Sequence, residues 1–347
     1  MSETKKEDAM TTSSSYVNGT EGVLIYRGYD IRDLGLNATY EEVVYLLWND
    51  KLPNAHELDL FKAALQAKRF VPEAVLNIMR AFPRDAQPMA VLRTAVSAMG
   101  LIDRDADNIT HDGAREKALL LTAVMPSLVA AWERIRNGKE PIKPRLGLGQ
   151  AANFLYMLDG KEPNPDAVAA FDSYLVLLAD HGFNASTFSA RVTTSTGSDF
   201  YSAITSAIGT LKGPSHGGAT QRAMEQFFSA AERGDIAAWF DESLAAGKRI
   251  MGIGHRVYKV EDPRAQILKP LAEKLANSSG KGQWFQVADT IQQLARQNDY
   301  FIERNLYANV DYYSAVVLYT IGLPVDQFTC IFAVSRIAGW CSQVLEQ

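Results

Sequence analysis

The sequence predicts a nearly all-α fold with one short N-terminal β-hairpin, on three observations. From about residue 39 onward, apolar residues recur at the helical period. The breaks between these stretches are short and marked by Gly, Pro or Asn/Asp. Strand-like residues cluster in one place only, and neither βαβ alternation nor an internal repeat follows. A hydrophobic content of 47% excludes disorder. A length of 347 residues exceeds the ~250–300 at which single cores stop growing, so about two domains are expected.

Taken in order, the first twenty residues read as a loose arm rich in Ser and Thr. Residues 22–31 are the best strand candidate, a short hairpin around Gly28. Thr39 with Glu42 forms a capping box ahead of Val43, Val44, Leu46 and Leu47, and Asn54 with Glu57 forms another. Pro72 suits the first turn of a helix carrying Val75, Ile78 and Met79. Residues 88–102 and 114–135 are long apolar-periodic stretches, and Pro165 opens a helix running to Leu178. Further helices are expected at 198–211, 217–231, 235–246, 265–277, 283–297, 310–321 and 326–346. Breaks at Gly213-Pro214 and Gly322-Leu-Pro324 predict a smaller domain, 216–321, inserted into a large one made of 1–215 and 322–347.

Composition narrows the function. Two Cys exclude a disulfide scaffold and fit a reducing cytosol, so a cytoplasmic protein is expected. The net charge of −5 offers no global basic field for nucleic acid. No uninterrupted apolar run reaches the ~20 residues of a membrane span, and the polar start carries no apolar signal core.

Two of the five His sit in Gly-rich turns, His216 in Gly213-Pro-Ser-His-Gly-Gly-Ala219 and His255 in Gly252-Ile-Gly-His-Arg-Val-Tyr-Lys259. Flanking glycines let backbone approach a ligand closely. Placed beside helix starts, both imidazoles are expected to stay neutral and donate hydrogen bonds. His181 ends one helix and precedes another, which alone fits a residue meeting helix carbonyls. His56 and His111, in a charged helix start and a polar loop, receive no role. Arg264, after Pro263, is placed to bind a carboxylate or to pair with Asp262 or Glu261. Asp311, in Asn309-Val-Asp311, reads as a functional carboxylate or a plain N-cap. Arg336 lies in the apolar stretch 328–340, which calls for an anion or a buried ion pair. The His spacing matches no metal motif, and Gly252-Ile-Gly254 is too short for a dinucleotide fingerprint.

From about Ser15 onward the chain resembles the citrate synthase family. The resemblance rests on Gly22-Val-Leu-Ile-Tyr-Arg-Gly-Tyr-Asp-Ile31, Glu42-Val-Val-Tyr-Leu-Leu-Trp48, Val91-Leu-Arg-Thr-Ala-Val96 and His181-Gly-Phe-Asn-Ala-Ser-Thr-Phe188. It rests equally on the two His turns above, Asp262-Pro-Arg264, Asn309-Val-Asp311 and Ala333-Val-Ser-Arg-Ile-Ala-Gly-Trp340. It implies an all-α homodimer whose small domain closes over oxaloacetate and an acyl-CoA, with neither metal nor organic cofactor and neither nucleic acid nor membrane as partner. It also implies the roles. Asp311 is the base that removes the thioester's methyl proton. His216 donates to the thioester oxygen and His255 polarises the oxaloacetate carbonyl. His181, Arg264 and Arg336 hold the carboxylates. Ile250, Gly252, Gly254 and Lys259 meet CoA. The implied reaction is condensation of oxaloacetate with acetyl-CoA and water to citrate and CoA.

Three departures qualify the resemblance. Glu is common where Gly182 stands, and Ala-His where Ser342-Gln343 stand. The family chain usually continues past Glu346-Gln347 into an arm whose Arg reaches the partner's site. The expectation is therefore either a shortened chain or a dicarboxylate held with one Arg fewer. The competing readings are a 2-methylcitrate synthase using propionyl-CoA, which the residue Ala315 resembles; a weakly active or inactive dimeric scaffold; and a metal hydrolase built on the three His and Asp311.

Overall fold

The computed structural model describes residues 11–347, so part of the predicted N-terminal arm lies outside the described residues. The arm's second half is not loose. Ser15–Asn18 (β1) pairs antiparallel with Val23–Tyr26 (β2), which pairs with Tyr29–Asp30 (β3) across the turn at Arg27 and Gly28. Gly28 has φ +89°, which glycine adopts without strain.

Helices make up the rest, and their starts follow local chemistry. Asp30 caps Ile31–Asn37 (α1), a helix the hairpin reading had run into. The two capping boxes open Tyr40–Asn49 (α2) and Ala55–Ala67 (α3) as predicted. Pro72 is the N-cap of Glu73–Arg80 (α4), one position outside its expected place. Pro88–Ile102 (α5) and His111–Arg136 (α6) follow, so His111 opens a helix and is not in a loop. Gln150–Asp159 (α7) starts after Gly149 with no side-chain cap, which left it without a sequence signal. Pro165–Leu178 (α8), Ala185–Ser195 (α9) and Phe200–Leu211 (α10) complete the first part. Between Gly213 and Gly322 lie Ala219–Arg233 (α11), Ile236–Ala245 (α12), Pro263–Ser278 (α13), Gly282–Gln297 (α14), Asp299–Ile302 (α15) and Val310–Thr320 (α16).

The chain returns through a 3-10 turn, Val325–Gln327, to Phe328–Leu345 (α17). Every residue of α17 from Phe328 to Val344 is buried, and the helix packs against α2, α5, α6, α8, α9, α10 and α11. A helix that is apolar all round is a core helix or a membrane span. By length and mean hydropathy α6 and the helical segment 325–345 would both qualify as spans, although neither is an uninterrupted apolar run. Most of the apolar window of each is enclosed by the rest of the protein, so here both serve as core helices. Each fully buried Leu, Ile, Val or Phe adds ~1.5–3 kcal/mol relative to exposure, which makes α17 the main organiser of this core.

Candidate active site

The chain 178–186, the turns at 216 and 255, the start of α16 and the middle of α17 bring the predicted residues together. Backbone bonds fix the loop that carries the second turn. The Gly254 N–H donates to the Tyr307 carbonyl (2.7 Å), the Asn309 N–H donates to the Gly252 carbonyl (2.8 Å), and Asn309 Nδ2 donates to the Gly254 carbonyl (2.7 Å). Gly252 is required there: its φ is +79°, and a Cβ would stand 2.9 Å from Tyr312 Cα.

His255 is therefore held in an irregular loop, eight residues ahead of α13, and not at a helix start. Its Nδ1 accepts the backbone N–H groups of Val257 and Tyr258, both at 3.0 Å. The proton of the neutral ring is thereby assigned to Nε2. The ring lies 4.8 Å from the Tyr258 ring and 5.6 Å from that of His181, centroid to centroid. His181 Nε2 shares a 3.1 Å hydrogen bond with the Tyr258 hydroxyl and, among the described residues, meets no helix carbonyl.

His216 lies in the turn leading to α11. Its Nε2 accepts the Ser186 N–H (3.3 Å) and lies 2.8 Å from Ser186 Oγ, which also receives Trp340 Nε1–H at 3.1 Å. A backbone N–H can only donate, so Nε2 is the acceptor and Nδ1 carries the proton. Both imidazoles thus keep one N–H that, among the described residues, donates to nothing in the protein. Both are neutral chiefly because of burial, and only His216, not His255, stands beside a helix start as expected. Burial pushes His216 down to about 4, assisted by Arg336 and Arg256. Burial does the same to His255, also to about 4, assisted by Arg264. His181 lies well below the usual range through burial and then through Arg264.

Asp311 is the second residue of α16, and Asn309 is the N-cap, accepting the Asp311 N–H at 2.9 Å. The carboxylate is thereby free of capping. It accepts the Thr220 hydroxyl, and burial raises its pKa above the usual range against the opposing pull of that bond, Arg264 and Arg336.

Arg264 is buried, and its Nε and Nη2 grip the two Asp262 oxygens at 3.0 and 2.8 Å. Asp262 Oδ2 also accepts the Val310 N–H at 3.1 Å, tying this pair to the start of α16. Arg336, 2% exposed, donates Nε–H to the Leu178 carbonyl (2.7 Å) and stands over the Phe332 ring. Among the described residues no carboxylate lies within ion-pair distance of it, so of its two sequence readings the open anion position fits. Ile250 is buried, so only its backbone can meet a ligand, whereas Lys259 is exposed with its N–H on the Gly19 carbonyl (2.8 Å). Among the described residues no group of three His, Cys, Asp or Glu could hold a metal. Sequence reasoning missed Ser186, Thr220, Tyr258 and Trp340, whose roles arise from contacts made 30 to 154 residues apart.

The family model described as citrate synthase, C-terminal domain, matches residues 4–347. The chain is 47% identical to a citrate synthase of Haloferax volcanii over 96% of this chain and 88% of that one. It is 40% identical to a 2-methylcitrate synthase of Mycobacterium tuberculosis over 97% and 84%. Among solved structures, the citrate synthase of Pyrobaculum aerophilum superposes with a TM-score of 0.91 at 40% identity, covering 98% of this chain and 87% of that one. A ternary complex of the Thermoplasma acidophilum citrate synthase with carboxymethyl coenzyme A and oxaloacetate gives 0.91 at 32% identity, covering 97% and 89%. The chain belongs to the citrate synthase family. It is accordingly an enzyme of the acyl-transferring class, with citrate synthase as the main activity among its relatives and 2-methylcitrate synthase beside it.

Proposed function

We propose that the site condenses oxaloacetate with acetyl-CoA through an enolate formed between Asp311 and His216. The observation that carries this reading is the pair of neutral imidazoles, each with its acceptor nitrogen occupied by backbone N–H and its remaining N–H unused. A thioester methyl is a weak carbon acid and a carboxylate a weak base, so proton transfer needs a preorganised donor at the developing oxyanion in a dry site. His216 Nδ1–H supplies that donor while Asp311, made more basic by burial, takes the proton. The nucleophilic carbon then attacks the oxaloacetate carbonyl carbon, whose oxygen is polarised by His255 Nε2–H. Arg336, His181 and the remaining Nη1 of Arg264 hold the carboxylates. Water hydrolyses the resulting citryl thioester, releasing citrate and CoA.

CoA is assigned to the backbone of Ile250, Gly252 and Gly254 and to Lys259. A groove of about 500 Å³ lined by Arg222, Lys248, Arg249 and Met251 adjoins that backbone and offers cations for its phosphates. No metal or organic cofactor enters the scheme. We further place the protein in the cytoplasm, on its two buried unpaired cysteines, and expect residues 216–321 to act as the closing domain. A homodimer is supported by Phe188 and Val192, exposed one turn apart on α9. Sedimentation at micromolar concentration checks it, a monomer being the contrary result.

The test is CoA release, read with a thiol reagent, using oxaloacetate with either acetyl-CoA or propionyl-CoA. Wild type should exceed Asp311→Asn by ~10²–10⁴-fold, and acetyl-CoA should be preferred. Preference for propionyl-CoA by a wide margin would establish the 2-methylcitrate reading. Wild type as slow as Asp311→Asn with both thioesters would leave the scaffold reading.

A further inference from the structure

The carboxylate of Asp311 is kept off the helix it stands on. The first three N–H groups of α16 are all met by other acceptors. Val310 N–H donates to Asp262 Oδ2 (3.1 Å), Asp311 N–H to Asn309 Oδ1 (2.9 Å) and Tyr312 N–H to the Asn309 carbonyl (3.1 Å). An acid in a first turn is ordinarily steadied by such groups, and here none is left for it. Among the described residues the one protein donor to this carboxylate is the Thr220 hydroxyl, 2.5 Å from Oδ1. Oδ2 receives nothing from these residues, and Asp311 is only half-buried, so the carboxylate keeps a reachable face.

Thr220 is committed to that contact. It is the second residue of α11 and is 1% exposed. Threonines deeper in other helices turn their hydroxyls onto the carbonyl four residues back, as Thr94 does to Ala90 (3.0 Å), Thr194 to Ala190 (2.9 Å) and Thr210 to Ser206 (3.0 Å). Four residues before Thr220 stands His216, outside the helix, and the hydroxyl crosses to α16 instead. The two helices are held in register two turns further on, where the Phe227 ring meets the Tyr312 ring edge to face at 5.0 Å between centroids. The short segment 216–220 therefore serves both partners of the proton transfer. His216 brings the donor for the oxyanion, and Thr220 fixes the base.

We propose that Thr220 is a positioning residue for the proton transfer, holding Asp311 Oδ1 so that Oδ2 is the oxygen aimed at the thioester methyl. This inference rests on the condensation reading above. A carboxylate without a partner rotates about its side-chain bonds, and most of those orientations place neither oxygen in line with the C–H bond. A hydroxyl fixes the plane without adding charge, and it occupies the oxygen that is not to receive the proton. The methyl proton passes to Oδ2, the C–H electron pair becomes that of the enolate, and Thr220 keeps its own proton throughout.

Thr220→Val tests this, because the shape of the side chain stays while the donor goes. Rates are compared at each variant's own pH optimum, so a changed carboxylate pKa does not imitate the loss. The kcat should fall ~10- to 100-fold, with the KM for oxaloacetate and for acetyl-CoA each within about twofold of wild type. Thr220→Ser, which restores the donor, should recover most of that rate. In an Asp311→Asn background Thr220→Val should slow the reaction no further, because residues acting as a unit are not additive. A wild-type kcat in Thr220→Val would overturn the inference. So would raised KM values with kcat intact, a loss that Thr220→Ser shares, or a further loss in the Asp311→Asn background, each of which marks a role in packing alone. Wild type as slow as Asp311→Asn would sink the condensation reading and this inference with it, whereas a fast wild type and a fast Thr220→Val beside a slow Asp311→Asn would remove the inference only.

Discussion

Asp262 shows how much one side chain can organise. It caps α13, receives both arms of the Arg264 fork, and accepts the Val310 N–H at the start of the helix bearing Asp311. Burial alone would raise its pKa, but Arg264 outweighs that and holds the carboxyl below its usual range. Asp262→Ala leaves a buried guanidinium unpaired, which costs ~3–5 kcal/mol. Urea unfolding should record that loss, with a parallel rise in the oxaloacetate KM; a midpoint equal to wild type would contradict the shared-carboxylate account. The histidines give a pH prediction of definite sign. In the unfolded chain an imidazole titrates near ~6.5, whereas His216 and His255 titrate at about 4 in the folded protein. As pH falls through this window the unfolded chain takes up protons that the folded one refuses, so stability is lost from pH ~6.5 downward. At pH 5 each histidine should account for ~2 kcal/mol of that loss. Comparing the drop in urea midpoint from pH 7.5 to pH 5 in wild type and His216→Gln isolates one contribution. Equal drops would refute it.

At the scale of the element, what was legible in the sequence is what depends on neighbours three or four residues apart. The boxes at Thr39 with Glu42 and Asn54 with Glu57 are such signals, and both form. Strand β1 was not legible, because Ser15–Asn18 is a strand only through its pairing with Val23–Tyr26. The site divides in the same way. The histidines, arginines and Asp311 stand in recognisable motifs, whereas the Thr220 hydroxyl on Asp311 and the Ser186 N–H on His216 come from segments 91 and 30 residues away. Long-range burial also governs the start of α2, where the Tyr40 N–H donates to Asp172 on α8. Burial, and then Glu41, push the Asp172 carboxyl up to about 8. A carboxyl with a raised folded pKa weakens the fold as pH climbs from ~4 toward that value. Asp172→Asn keeps an acceptor for Tyr40 and removes the titration. It should gain at least ~1 kcal/mol over wild type at pH 8 relative to pH 5, seen as a melting temperature that falls less with rising pH. A variant tracking wild type across that range would refute the assignment.

On the scale of the whole molecule, the site depends on how closely α17 can approach the end of α8. The approach is set at Gly339, whose N–H donates to the Ala179 carbonyl at 3.0 Å. A Cβ at this position would stand 2.4 Å from that carbonyl oxygen and 2.4 Å from Asp180 Oδ1. Neither neighbour can give way cheaply. The carbonyl is backbone, and Asp180 is fully buried, with Oδ2 held by Ser15 Oγ. Relief would require α17 to retreat, moving Arg336, three residues earlier on that helix, away from Leu178 and His181. Gly339→Ala should therefore cost ~3 kcal/mol, at the upper end for an overpacked core, and should weaken oxaloacetate binding more than acetyl-CoA binding. The informative control is Gly209→Ala in the interior of α10, where a Cβ would meet only the Arg93 Cδ at 3.7 Å. There the added methyl reduces backbone freedom in the unfolded chain and favours the helix, so stability should rise by ~0.5–1 kcal/mol. The two substitutions are chemically identical and predicted to have opposite signs. If both were neutral by urea unfolding, the close contact of α17 with Ala179 would not be what holds the arginine against the histidines.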